Sequence, residues 1–331
     1  MTKPRIFVTR RIPEQGLDIL RQACETNVWP GELPPARADL LAAVRGVEGL
    51  LSLVTDRIDA EVMDAAGPQL KVISNYAVGF DNIDVAEATR RGIPVGNTPD
   101  VLTDTTADLA FALLMAAARR LIEGDRYVRA GAWKTWGPLL LLGQDVAGAT
   151  LGIIGFGRIG HAMSKRAHGF DMRVLYHNPY CRDDPYAKEI GAECVELDRL
   201  LAESDFVSLH TPLTAETRHL INATTLAKMK RSAILINTSR GGVIDHDALY
   251  HALKDGVICY AALDVTEPEP LPADSRLLTL DNVIVTPHIG SASIATRAKM
   301  AQMAAENLLA GLRGERLPHC VNLQVYEQRR S

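Results

Sequence analysis

The sequence predicts an α/β protein of two Rossmann-like, doubly wound parallel-sheet domains. Three observations carry the prediction. Short β-branched runs alternate with helical patterns along nearly the whole length, as repeated βαβ units require. The 331 residues are enough for two domains of ordinary size, and 47% hydrophobic with 23% charged residues allows sizeable cores. A fresh alternation opens at Thr150 and supplies enough strands for a complete dinucleotide-binding sheet.

In chain order, the first strands are RIFVTR, GLLSLV, KVISNYA and IPVGN. Between them lie the helical patterns QGLDILRQAC, DLLAAVRG and DVAEATRRG, the last two closing on the glycine that helix ends favour. A long helical pattern follows near Asp104, with Thr103 or Asp104 as N-cap, through DLAFALLMAAARRL. It is less polar than a surface helix needs to be, so it either spans two domains or packs against another subunit. The second set of strands is TLGIIG, RVLYHN, AECVE, FVSLHT, AILINT, YAALDV and VIVTP, and a last amphipathic helix covers SIATRAKMAQMAAENLLAGLRG.

A net charge of −4 gives no general attraction to nucleic acid or anionic membrane, which favours a small-molecule partner. The five cysteines are scattered and form no CxxC, so they read as thiols in a reducing cytosol and imply no metal site. The N-terminus has no signal-peptide h-region, and the longest apolar stretch, residues 109–118, is about half of what a bilayer span needs. The expectation is a soluble, cytoplasmic protein.

Gly155, Gly157 and Gly160 stand in G-x-G-x-x-G spacing between a strand and a helix, the context in which that motif cradles a pyrophosphate. The N–H groups of Arg158 and Ile159 would face the anion at the helix N-terminus. An acidic residue about 20 positions on would grip the ribose of NAD, but Asn178 stands there. Asn178 bonds a hydroxyl without repelling a 2′-phosphate, and Arg182 could pair with that phosphate. Asp183 and Asp184 compete for the same guanidinium, so Arg182 is equally readable as a solvated loop charge. Both NAD and NADP fit, with NADP slightly favoured.

Arg240 follows the strand AILINT, Glu269 follows YAALDV and His288 follows VIVTP, so three polar groups emerge at strand carboxyl ends. A 2-keto acid that accepts hydride needs a cation on its carboxylate and carbonyl, which Arg240 provides. The forming alkoxide needs a proton, from His288 as general acid. Glu269 beside it would keep the imidazole protonated and fix its orientation.

Seven segments then carry a resemblance: NYAVGFDNIDV, NTPDVLTDTTADLAFALL, LGIIGFGRIG, SLHTPLTAETRHLI, ILINTSRGGVIDHDAL, ALDVTEPEP and TPHIGSA. Over essentially its whole length the chain resembles the D-2-hydroxyacid dehydrogenases, and LVTD, NYAVGFDNID and TDTTADLAFALL resemble the glyoxylate/hydroxypyruvate reductase branch. The resemblance implies a discontinuous, flavodoxin-like substrate domain of residues 1–98 and 287–331, and an NAD(P)-binding Rossmann domain of residues 99–286. It implies an Arg–Glu–His triad at Arg240, Glu269 and His288. It implies cofactor contacts at Thr105, His210, Pro212, Thr217, Thr238, Ser239, Asp264 and Gly290. Leu53 and the backbone of Val78 and Gly79 would bind the substrate in a compact pocket, which suits glyoxylate or hydroxypyruvate. It also implies homodimers, in which Trp136 either reaches the partner's active site or packs in the interface.

Asn178 and Pro179 match neither the NAD pattern nor the NADP pattern of the family. Thr266 replaces a common aromatic residue and reads as a change in the pocket wall. Two rivals stay open at this point. Phosphite oxidation is one, although members with that activity carry a Lys where Val78 stands. A nicotinamide-sensing, corepressor-like binding protein is the other; it would keep the triad but carry long flanking segments, which are absent here.

Overall fold

The computed structural model describes residues 2–179 and 184–327. They form two compact units, one of residues 1–102 with 292–331 and the other of residues 103–291.

The first unit carries β1 (Arg5–Val8), β2 (Glu25–Val28), β3 (Gly49–Ser52), β4 (Val72–Asn75) and β5 (Val95–Gly96). All pairings are parallel, in the order β2-β1-β3-β4-β5, which is the flavodoxin-like order. β3 and β4 are buried at every position, because helices cover both faces of a parallel sheet. Leu17 and Leu20 of the helix Glu14–Ala23 pack with Ala301, Ala304 and Leu308 of the helix Ile294–Leu312 on one face. Val62 and Met63 cover Phe7, Leu50 and Ile73 on the other. The sequence ETNV of β2 gave no strand signal. As an edge strand bonded only to β1, it needs no apolar face, and it is half exposed.

The second unit carries β6 (Thr150–Ile154), β7 (Arg173–His177), β8 (Glu193–Cys194), β9 (Phe206–Leu209), β10 (Ile234–Asn237), β11 (Tyr260–Leu263) and β12 (Val283–Val285). They lie in the parallel order β12-β11-β10-β9-β6-β7-β8, a Rossmann sheet with one strand added beyond the usual six. The chain order reverses at β6, so the crevice at the carboxyl ends of β6 and β9 is the switch point where such sheets bind ligands.

The apolar helix near residue 104 is Thr103–Ala118, and its own unit accounts for its character. Ala110, Phe111, Leu113, Leu114, Ala117 and Ala118 enter the core with Leu151, Ile153 and Met163. It stops at Arg119–Arg120, where Arg120 turns left-handed at φ 51°, and a separate helix, Leu121–Arg129, follows with no buried residue. The reading of five free thiols also needs correction. Cys24, Cys259 and Cys320 are free, but Cys194 on the short edge strand β8 is disulfide-bonded. Among the described residues, no helix is long and apolar enough to cross a membrane.

Candidate active site

β6 leads through Gly155, Phe156 and Gly157 into the helix Arg158–His168. Gly155 is left-handed at φ +92°, and a Cβ there would lie 2.7 Å from the backbone of His210. At Gly160 a Cβ would stand 2.5 Å from the Gly155 carbonyl oxygen, so only glycine lets this helix lie against the turn. Gly157 is the helix N-cap, and a Cβ there meets nothing within 4 Å. The first turn has no acidic residue and no side-chain cap, which leaves an open, electropositive helix end beside a bare backbone. Thr238, just past β10, adds a buried hydroxyl with no hydrogen-bond partner among the described residues. An open cradle, an uncapped helix N-terminus and a buried hydroxyl without a partner among the described residues fit a dinucleotide, which Arg158, Ile159 and Thr238 would hold.

The missing acid has a structural answer. The Asn178 Oδ1 accepts the Phe156 N–H at 2.7 Å, tying the end of β7 to the glycine turn. One acceptor position of the oxygen is thereby used, and the amide NH2 remains a donor that Asn178 can present. Arg182 lies outside the described residues. His210, past β9, is half-buried, and desolvation pushes it down to about 4, so it is uncharged; its Nε2 lies 2.9 Å from the Ser208 hydroxyl. Thr217 closes the loop that follows by donating to the Pro212 carbonyl at 2.6 Å. Thr105 lies in the first turn of the helix Thr103–Ala118.

Glu269 and His288 meet. The Glu269 Oε1 lies 2.6 Å from the His288 Nδ1, and Oε2 accepts the Thr266 N–H at 3.3 Å. Burial pushes the Glu269 carboxyl up. The His288 hydrogen bond and the charges of His288 and Arg240 outweigh it, and the net position is below the usual carboxylate range. With Nδ1 engaged, the His288 Nε2 is the nitrogen left for chemistry, and it has no hydrogen-bond partner among the described residues. The Thr266 hydroxyl donates to the Pro268 carbonyl at 2.9 Å, so Thr266 shapes the glutamate's turn.

Two buried residues hold the other arms. Asn237, at the end of β10, accepts from the Ser239 N–H and hydroxyl and donates to the Arg240 carbonyl at 2.9 Å. Asp264, past β11, accepts from the Thr286 hydroxyl at 2.6 Å, the Ile289 N–H at 2.8 Å and the Gly290 N–H at 2.7 Å. Those bonds clamp the backbone on both sides of His288, itself left-handed at φ 54°. Burial nevertheless leaves the Asp264 carboxyl net above its ordinary range, against the pull of the same bonds.

In the first unit, Leu53 follows β3, and Val78 and Gly79 follow β4. The carbonyls of Val78 and Gly79 are taken by Asn97 Nδ2 and Asn75 Nδ2, each at 2.8 Å. Their N–H groups donate to no acceptor among the described residues. Asn75, Asn97 and Asn237 were not singled out from the sequence, where asparagine after a strand reads as turn chemistry.

Residues 111–290 match the model of the NAD-binding domain of the D-isomer specific 2-hydroxyacid dehydrogenases. Glyoxylate reductase of Korarchaeum cryptofilum is 57% identical over 328 residues, 99% of this chain and 98% of that one. The chain belongs to the D-isomer specific 2-hydroxyacid dehydrogenase family. Within it, the glyoxylate reductase of Thermococcus litoralis is 52% identical over 98% of both chains. A solved structure from Thermus thermophilus superposes with TM-score 0.90 at 51% identity, covering 96% of this chain and 99% of that one. The NADPH-dependent glyoxylate/hydroxypyruvate reductase of Sinorhizobium meliloti, solved with NADP and malonate, gives TM-score 0.83 at 34% identity over 97% of each chain. This chain is accordingly a 2-hydroxyacid dehydrogenase of the glyoxylate reductase branch, dependent on NAD or NADP.

Proposed function

We propose that the enzyme reduces glyoxylate, and hydroxypyruvate as a second substrate, to the corresponding 2-hydroxy acid. The observation that carries the assignment is the 2.6 Å contact between Glu269 and His288 Nδ1, which leaves Nε2 as the proton donor. Reduced nicotinamide supplies the hydride to the carbonyl carbon. His288 Nε2 delivers the proton to the carbonyl oxygen, and Glu269 carries the counter-charge of the imidazolium. Arg240 holds the substrate carboxylate and polarises the carbonyl. Residues 1–98 and 287–331 serve as the substrate domain, with Leu53 and the N–H groups of Val78 and Gly79 as its binding groups. Residues 99–286 serve the dinucleotide. NADPH is preferred, because Asn178 presents an amide donor where a carboxylate would repel the 2′-phosphate.

A second copy covers the exposed apolar side chains of Leu121, Val128, Trp133, Trp136, Leu139 and Leu142. Trp136→Ala separates the two readings of that residue: a raised KM in an intact dimer marks a role at the partner's active site, and dissociation marks interface packing. The function itself is tested by initial rates with glyoxylate and hydroxypyruvate, each against NADH and NADPH. Turnover with either acid supports the assignment; none with any pair overturns it.

A further inference from the structure

The loops that follow β9, β10 and β11 are joined at one place. His219 and Ile221, beyond β9, donate their N–H groups to the Gly242 and Val243 carbonyls at 2.9 and 3.0 Å. Gly241, directly after Arg240, lies flush against the turn beyond β11. A Cβ on it would overlap the Thr266 carbonyl and stand 2.6 Å from the Glu267 nitrogen. Across this seam Arg218 Nη2 lies 3.1 Å from both carboxylate oxygens of Glu267, and His219 Nε2 lies 3.5 Å from one of them. The pair lies over Gly242, where a Cβ would be 3.1 Å from Arg218 and 3.2 Å from Glu267.

The side chains of Arg218 and Glu267 are 51% and 38% exposed, and a pair so exposed adds little to global stability. Its place in the chain is what matters. Glu267 is separated from Glu269 only by Pro268, whose ring fixes its own φ, so a shift at Glu267 is passed on to Glu269.

We propose that the Arg218–Glu267 ion pair is a positioning device for the reaction. It holds the turn beyond β11 so that Glu269 meets His288 Nδ1. Neither residue touches reacting atoms. The inference rests on the reading of Glu269 and His288 as the acid–base pair.

The test uses full-length enzyme, with glyoxylate and reduced nicotinamide, in the variants R218A, R218K, E269Q and R218A/E269Q. R218A should lower kcat about tenfold, less than the roughly hundredfold that a 1 Å misplacement of a reacting group costs. KM and the thermal midpoint should hold, and R218K should restore most of the rate. His288 and Arg240 are the charged groups facing Glu269; Arg218, His219 and His246 are those acting on Glu267. Loosening Glu269 from His288 lets its carboxyl rise, so the acid limb of kcat/KM should move to higher pH in R218A. In the E269Q background, R218A should have no further effect. Unchanged kcat in R218A, or an undiminished loss in the E269Q background, overturns the proposal while the acid–base reading stands. Full activity of E269Q overturns both. Should R218A fail to fold, E267Q carries the same expectations.

Discussion

Gly157 separates binding from folding, and the structure sets both magnitudes. Its φ of −96° is open to any residue, and a Cβ added there meets nothing within 4 Å. Replacing glycine by alanine at an N-cap costs about 0.5–1 kcal/mol. The reduced freedom of the unfolded chain returns about 0.4–1 kcal/mol, so Gly157→Ala should leave stability nearly unchanged. In the proposed cradle the new methyl would stand where a pyrophosphate approaches the helix N-terminus. Loss of one charge-assisted hydrogen bond, roughly 1.5–3 kcal/mol, weakens cofactor binding tenfold or more. Gly155→Ala is the contrasting control. Its φ of +92° and a Cβ 2.7 Å from the His210 backbone add steric overlap to the roughly 1–2 kcal/mol of a left-handed residue, so that variant should lose stability. NADPH fluorescence titration gives Kd, and thermal unfolding of the same samples gives stability. An unchanged Kd in Gly157→Ala would refute the cradle, and a midpoint as low as that of Gly155→Ala would refute the open space.

Three further outcomes follow from the catalytic geometry. His288→Ala should lower kcat on the order of a hundredfold or more in steady-state assays, because water must then supply the proton. Arg240→Ala should both lower kcat and raise KM if, as proposed, one guanidinium binds the ground state and polarises the carbonyl; a change in KM alone would remove its second role. Burial raises the Glu269 carboxyl, but the His288 hydrogen bond, the charges of His288 and Arg240 and the Thr266 N–H together hold it below its ordinary 4.5. A carboxyl depressed on folding contributes stability at neutral pH that is lost as pH falls through its folded-state value. The acid limb it sets in kcat/KM should therefore lie below pH 4.5 and vanish in Glu269→Gln.

The sequence was most informative where one residue type answers to one local constraint. Gly155 and Gly160 each have a distinct steric reason in the structure, and the apolar runs of β3, β4, β9 and β10 are buried throughout because parallel strands are covered on both faces. Strand β2 escaped notice because an edge strand needs no apolar pattern. The hydrophobic character of the helix Thr103–Ala118 does not by itself say what covers it; its buried face packs in the core of its own unit. The supporting residues were less legible still. Asn178 shows by type only that no acid is present; that its oxygen accepts from Phe156 depends on the approach of β7 to the glycine turn, 22 residues away in sequence. Asn75, Asn97 and Asn237 mould the binding loops through partners fixed by tertiary packing, and Arg218 finds Glu267 across 49 residues.

Hydride transfer to a 2-keto acid with proton delivery by His288 leaves an isotopic signature in the product. The measurement closest to it is mass spectrometry of the product formed from glyoxylate and NADPH carrying deuterium on both faces of nicotinamide C4. Glycolate with one deuterium at C2, formed by the wild type and suppressed about a hundredfold in His288→Ala, is the predicted result. Unlabelled product, or labelled product formed as fast by the variant, would contradict it.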